Sequence, residues 1–105
     1  MNIDEIQKII IENDAVMIYF SGEQCSVCKA LMPKVKLAFT THFPKIKQLY
    51  INASDFPHIA AYFSVFTVPS LLIYFDGKET KRESRHISVD QLIQSNQRHY
   101  KMFFE

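Results

Sequence analysis

Two cysteines, Cys25 and Cys28, stand three residues apart and are the only thiols in the chain. They follow the continuous apolar run Ala15-Val16-Met17-Ile18-Tyr19-Phe20 and open a segment with helical spacing of apolar side chains. That places the pair at a strand-to-helix junction. The first turn of a helix carries unpaired amide donors and a partial positive charge. Both stabilise a thiolate at Cys25, whose pKa is expected to fall into the range of roughly 3.5–7.5 of activated thiols. A thiolate attacks a disulfide and forms a mixed disulfide. Cys28, one turn further in and more shielded, is then within reach to attack that bond and release the reduced substrate. Cys25 thus reads as the nucleophile and Cys28 as the resolving thiol, the pair cycling between dithiol and disulfide.

Cys-x-x-Cys alone leaves two other readings open, half a zinc site and two incidental core thiols. Zinc normally takes four ligands. The remaining candidates, His42, His58, His86 and His99, include no second close pair, so zinc would require ligands shared across a dimer, and no metal is expected in the single chain. No flavin or nicotinamide fingerprint occurs, so no cofactor is expected. Electrons must then come from a separate partner.

The elements that must position the cysteines follow from patterning. Asn2 with Glu5 resembles a capping box, and Ile3, Ile6, Ile9 and Ile10 keep helical spacing, predicting a helix over about 3–12. The run 15–20 predicts a strand buried on both faces. A loop, 21–24, leads to a helix from about Cys25 to His42, with Leu31, Val35, Ala38 and Phe39 as its apolar stripe. Pro33 inside it removes one backbone donor and is expected to kink it. A strand over 46–52, a short helix over 57–63 and an apolar strand over 70–75 follow. Asp76-Gly77 signals a tight turn, and 79–87 returns as a charged antiparallel edge strand. Ser88 and Gln91 cap a last helix through about Tyr100. The alternating part predicts parallel strands with right-handed crossovers, and the hairpin adds one antiparallel partner. The expectation is a four-stranded mixed sheet with helices on both faces.

A chain of 105 residues suffices for one domain, taken as 1–105, and 48% hydrophobic residues can build a core without disulfide staples. Twelve basic and eleven acidic side chains nearly cancel, with no basic stripe for nucleic acid and no polybasic cluster for a membrane surface. The N-terminus does not read as a signal peptide, and the longest apolar run is too short to span a bilayer. The chain therefore reads as cytoplasmic, where two cysteines are more often catalytic or metal-binding than a permanent staple.

Taken together, Cys25-Ser26-Val27-Cys28-Lys29, Pro33 eight residues after the first cysteine, Val68-Pro69, the 71–75 strand and the Asp76-Gly77-Lys78 turn resemble the thioredoxin family over nearly the whole chain. The resemblance implies an α/β, thioredoxin-like, three-layer α/β/α fold, with the family's first edge strand absent. It also implies that Pro69 follows a cis bond and faces an active-site Cys25–Cys28 disulfide. That would leave the Val68 backbone free to pair with an extended substrate segment. Val68, Pro69 and Gln24 are accordingly the candidate substrate-binding residues.

The chain departs from the family at several points. Gln24 and Ser26-Val27 replace the usual Trp and Gly-Pro around the cysteines. Tyr19 stands at the family's buried acid and Tyr50 at its neighbouring lysine. A phenol titrating near pH 10 is a poor base at neutrality, and both tyrosines are read mainly as core filling. Glu23 or water is left to assist the resolving thiol. Arg85 matches a glycine on the family's substrate-facing surface, and Lys29 reads as an exposed helix residue. The apolar ending Tyr100-Lys101-Met102-Phe103-Phe104-Glu105 is expected to pack on the core, with self-association as the alternative, hence a monomer or weak dimer. The leading expectation is a thiol-disulfide oxidoreductase acting on protein disulfides and served by a separate reductase. A non-catalytic binding or adaptor module and a metal carrier are the alternatives.

Overall fold

The computed structural model describes residues 1–105 as four helices and four strands. They are α1 (Ile3–Glu12), β1 (Ala15–Ser21), α2 (Ser26–His42), β2 (Lys47–Asn52), α3 (Pro57–Tyr62), β3 (Ser70–Phe75), β4 (Lys78–Ser84) and α4 (Val89–Phe104). The strands form one mixed sheet in the order β2-β1-β3-β4. Four strands, helices on both faces and the element order all match the expectation.

The strand directions correct it. Only β1 and β2 are parallel, and β3 runs antiparallel to β1. The connection over 53–69 is long enough for a crossover, but it is spent in turns: the Asp55 and Phe56 N–H groups bond to Asn52 O, and the Ser64 and Val65 N–H groups to Ala61 O and Ala60 O, on either side of the short α3. The chain therefore does not travel back along the sheet. It crosses the end of β1 and enters β3 from the end at which β2 finished.

The registers show what that crossing assembles. Ser21 pairs with Asn52, Phe20 with Ser70, and Ser70 with Ser84. The ends of β1, β2 and β4 and the start of β3 thus share one end of the sheet, and the loops at 22–25, 53–56, 64–69 and 85–88 meet there.

Two cores flank the sheet. Ile6 and Ile10 of α1, Ile59 and Ala60 of α3 and Phe63 just after it pack on Val16, Ile18, Phe20 and Leu72. Val35, Phe39, Leu92 and Tyr100 of α2 and α4 pack on Met17, Tyr19, Leu71 and Ile73. Every residue of β1 and β3 is buried, as strands covered on both faces require.

Local chemistry sets the boundaries. The Asn2 side chain accepts the Glu5 N–H at 2.9 Å, and Ser88 Oγ accepts that of Gln91 at 3.3 Å, so both predicted caps form. Asp76 and Gly77 both have positive φ, 55° and 77°, the backbone of a two-residue hairpin turn. Helix α2 runs unbroken through Pro33. Strand β4 starts one residue before the expected 79 and ends three before 87, because Arg85 turns to φ 62°. Helix α4 runs to Phe104 rather than Tyr100: Tyr100 packs on Phe43, and Phe104 on both Tyr100 and Phe75. This docks the apolar ending, while Met102 and Phe103 stay exposed. No helix is long and apolar enough to cross a membrane.

Candidate active site

Cys25 is the N-cap of α2. Its Sγ accepts the Cys28 N–H at 3.1 Å, the position that a serine or aspartate oxygen usually fills at a helix start. Cys25 Sγ and Cys28 Sγ are joined in a disulfide, with the Cα atoms 5.2 Å apart. Cys28 is fully buried and Cys25 half-exposed. An incoming disulfide can therefore reach Cys25, while Cys28 is open only to its neighbour. After reduction, the N-terminal amides of α2 remain beside the Cys25 sulfur, where they favour a negative charge.

The Tyr19 ring is fully buried beneath this turn, and its hydroxyl donates to the Cys28 carbonyl at 2.9 Å. Burial, and then the adjacent Tyr50, pushes the Tyr19 phenol up to about 12. Burial also raises Tyr50. The rings lie 5.9 Å apart, and the Tyr50 hydroxyl donates to Gln48 Oε1 at 2.5 Å. Tyr19 thus fills the core, as expected, and also holds the cysteine turn by a bond that the sequence pattern does not reveal. A phenol held protonated to such high pH exchanges no proton near neutrality. Glu23 is exposed, and the bond it makes is from its backbone N–H to Ser54 Oγ at 3.0 Å.

The second wall comes from the loop entering β3. The Val68–Pro69 peptide bond is cis, Pro69 is buried and Val68 half-buried. Neither the N–H nor the C=O of Val68 has a hydrogen-bond partner in the protein. Pro69 O instead accepts the Arg85 N–H at 2.9 Å. Gln24 is exposed at the rim, as is Lys29. The structure thus brings Gln24, Cys25, Cys28, Val68 and Pro69 to the one end of the sheet where the four loops meet.

Sequence reasoning missed two residues that shape this wall. A Cβ on Gly22 would lie 3.0 Å from Val68 Cγ2 and 3.8 Å from Cys25 Cβ, so the lack of a side chain lets the cysteine loop lie against the Val68 loop. Ser54 anchors the same loop from the end of β2 through Glu23. The available signal was the placement of one of only two glycines just before the cysteines. Elsewhere in the protein, no group of three or more His, Cys, Asp or Glu side chains could hold a metal ion.

Similarity to known proteins agrees with this geometry. The family model described as Thioredoxin matches residues 2–98. Thioredoxin-like protein YdfQ of Bacillus subtilis (strain 168) is 40% identical over 98 residues, covering 93% of this chain and 87% of the relative. The thioredoxin of Chlamydia trachomatis serovar D is 32% identical over 89 residues, covering 85% and 86%. Among solved structures, thioredoxin 1 from the thermophilic eubacterium Thermosipho africanus superposes with a TM-score of 0.77 at 30% identity, over 86% of this chain and 99% of that one. With a Cys-x-x-Cys pair at the head of a helix on this fold, the chain belongs to the thioredoxin family of thiol-disulfide oxidoreductases.

Proposed function

We propose that residues 1–105 act as one domain that reduces or exchanges the disulfides of other proteins through Cys25 and Cys28. The observation that carries this reading is the Cys25 sulfur at the N-cap of α2, within bonding reach of a buried Cys28. In the reduced protein the Cys25 thiolate attacks one sulfur of a substrate disulfide, and the other leaves as a thiolate. A mixed disulfide results. Cys28, once deprotonated, attacks Cys25 Sγ and expels the second substrate thiolate. Two electrons pass to the substrate, whose thiolates take up protons from water, and the Cys25–Cys28 disulfide forms. A separate reductase returns the pair to the dithiol.

Val68 supports the substrate half of the proposal. Its unpaired N–H and C=O match the donor and acceptor of an extended chain, so a substrate segment can add beside it as a short strand. Pro69 gives the cysteines an apolar neighbour, and Gln24 gives the rim a polar contact. A chain whose two cysteines form one redox pair suits a reducing compartment such as the cytoplasm.

The test is insulin reduction with dithiothreitol, comparing the wild type with Cys25→Ser and Cys28→Ser. The wild type accelerates precipitation of the insulin chains. Cys25→Ser falls to the uncatalysed rate, and Cys28→Ser accumulates a mixed disulfide. Equal rates for wild type and Cys25→Ser contradict the proposal. A second reading, a binding module without turnover, is favoured by Tyr19, a protonated phenol where the family keeps an acid. It predicts no acceleration by the wild type.

A further inference from the structure

Arg85 holds an unusual backbone position beside the cysteine pair. Its φ of 62° lies in the left-handed region that residues with a long side chain enter only at a cost. The Arg85 N–H bond to Pro69 O, 2.9 Å, ties it to the loop that carries Val68. The side chain is exposed and enters neither of the protein's two ion pairs.

With Val27, Leu31, His86, Ile87 and Ser88, Arg85 lines an open groove of about 340 Å³. Its lining includes Val27, which is 59% exposed and next to Cys28 in the chain. No acidic side chain lines it. Glu83 and Asp90, the nearest acids along the chain, line two adjoining depressions that share Ser88 with this groove, and neither forms an ion pair with Arg85. An uncompensated guanidinium facing an apolar wall is complementary to a carboxylate on a segment that also carries an apolar side chain.

Resting on the oxidoreductase reading above, we propose that Arg85 is a specificity-determining residue that favours protein disulfides whose reactive cysteine lies near an acidic residue. The segment pairs with the Val68 backbone, sets an apolar side chain against Val27 and Leu31, and presents a carboxylate to Arg85. A glycine at position 85 would satisfy the backbone and supply none of this preference.

The test uses two disulfide peptides that differ only in a Glu or a Lys flanking the reactive cysteine. Their kcat/KM values are compared for the wild type, Arg85→Lys, Arg85→Gln and Arg85→Gly. The wild type prefers the Glu peptide by about fivefold at low salt, the scale of one exposed ion pair, and the preference shrinks as salt screens it. Arg85→Lys keeps most of it, and Arg85→Gln and Arg85→Gly bring the ratio close to one. A wild-type ratio of one, or the same ratio in Arg85→Gln as in the wild type, overturns the assignment. Reduction of the neutral bis(hydroxyethyl) disulfide separates the two claims. If the wild type reduces it while the peptide ratio is one, only the role of Arg85 falls. If the wild type reduces neither that compound nor either peptide, the oxidoreductase reading falls as well.

Discussion

The Tyr19 hydroxyl donates a hydrogen bond to the Cys28 carbonyl across 2.9 Å, so the central strand holds the first turn of α2 through one buried phenol. Tyr19→Phe removes that bond and leaves the carbonyl without this partner. The expected cost is about 1 kcal/mol, a fall of about 4–8 °C in Tm for a domain of this size. Insulin reduction drops by far less than the roughly 100-fold that loss of a general acid or base brings. Thermal unfolding beside the insulin assay checks both. A 100-fold loss of activity with unchanged Tm would show that the phenol takes part in proton transfer.

Alkaline stability follows from the same burial. Tyr19 and Tyr74 are each pushed up to about 12, in both cases chiefly by burial, and burial raises Tyr50 too. Between pH about 10, where tyrosine titrates in the unfolded chain, and about 12, the folded state holds protons that the unfolded state has lost. Stability from these phenols is therefore full below pH 10 and declines as pH rises toward 12. Urea unfolding across this range should show the decline, with a shallower slope in Tyr19→Phe. Identical slopes would contradict it.

Arg82 fastens β4 to the end of α3. Its guanidinium donates to both Glu79 carboxylate oxygens, at 2.7 and 2.9 Å, and to the carbonyls of Phe63 and Ser64, at 2.8 and 3.1 Å. The pair is about one-third exposed, so solvent screens much of its attraction. Arg82→Ala should cost about 1–2 kcal/mol, mostly through the two carbonyls. The hydrogen bond from Arg82 holds the Glu79 carboxyl below its usual value. Its stabilising contribution is thus present above the unfolded-state pKa of about 4.3 and is lost as pH falls through the lower folded-state value. Denaturation at neutral and at acid pH should show the penalty of Arg82→Ala shrinking in acid.

Gly22→Ala tests the contact between the two loops. The new Cβ, 3.0 Å from Val68 Cγ2, forces a shift, and a β-branched side chain has little rotameric freedom to yield. Val68 should move by a fraction of an ångström. Insulin reduction should fall several-fold, less than the roughly 100-fold of a full 1 Å misplacement, while reduction of bis(hydroxyethyl) disulfide holds steady. Equal losses on both substrates would place the effect on the cysteines instead.

Much of this was legible in the residues. Cys25 and Cys28 were marked by their spacing together with their place between a strand pattern and a helix pattern, and the Asn2 and Ser88 caps and the Asp76-Gly77 turn are local signals that need no tertiary context. The direction of β3 was not legible. Its apolar run Leu71 to Phe75 specifies a buried strand, but direction depends on how the connection over 53–69 folds. The last turn of α4 was hidden for a related reason: aromatic contacts with Phe43 and Phe75, distant in sequence, hold Tyr100 and Phe104 in the helix. At the site, the Tyr19 bond and the Gly22 approach are juxtapositions of separate segments. Arg85 could be matched to a glycine of the family, but its positive φ and its tie to Pro69 appear only in three dimensions.

The most direct measurement is the pH dependence of iodoacetamide alkylation of the reduced protein, with the modified residue identified by mass spectrometry. A Cys25 thiol stabilised at the N-cap of α2 is alkylated first, with a midpoint well below the ordinary cysteine value of about 8.5, and Cys28 stays protected. A midpoint at the ordinary value, or equal modification of both cysteines, would contradict the account.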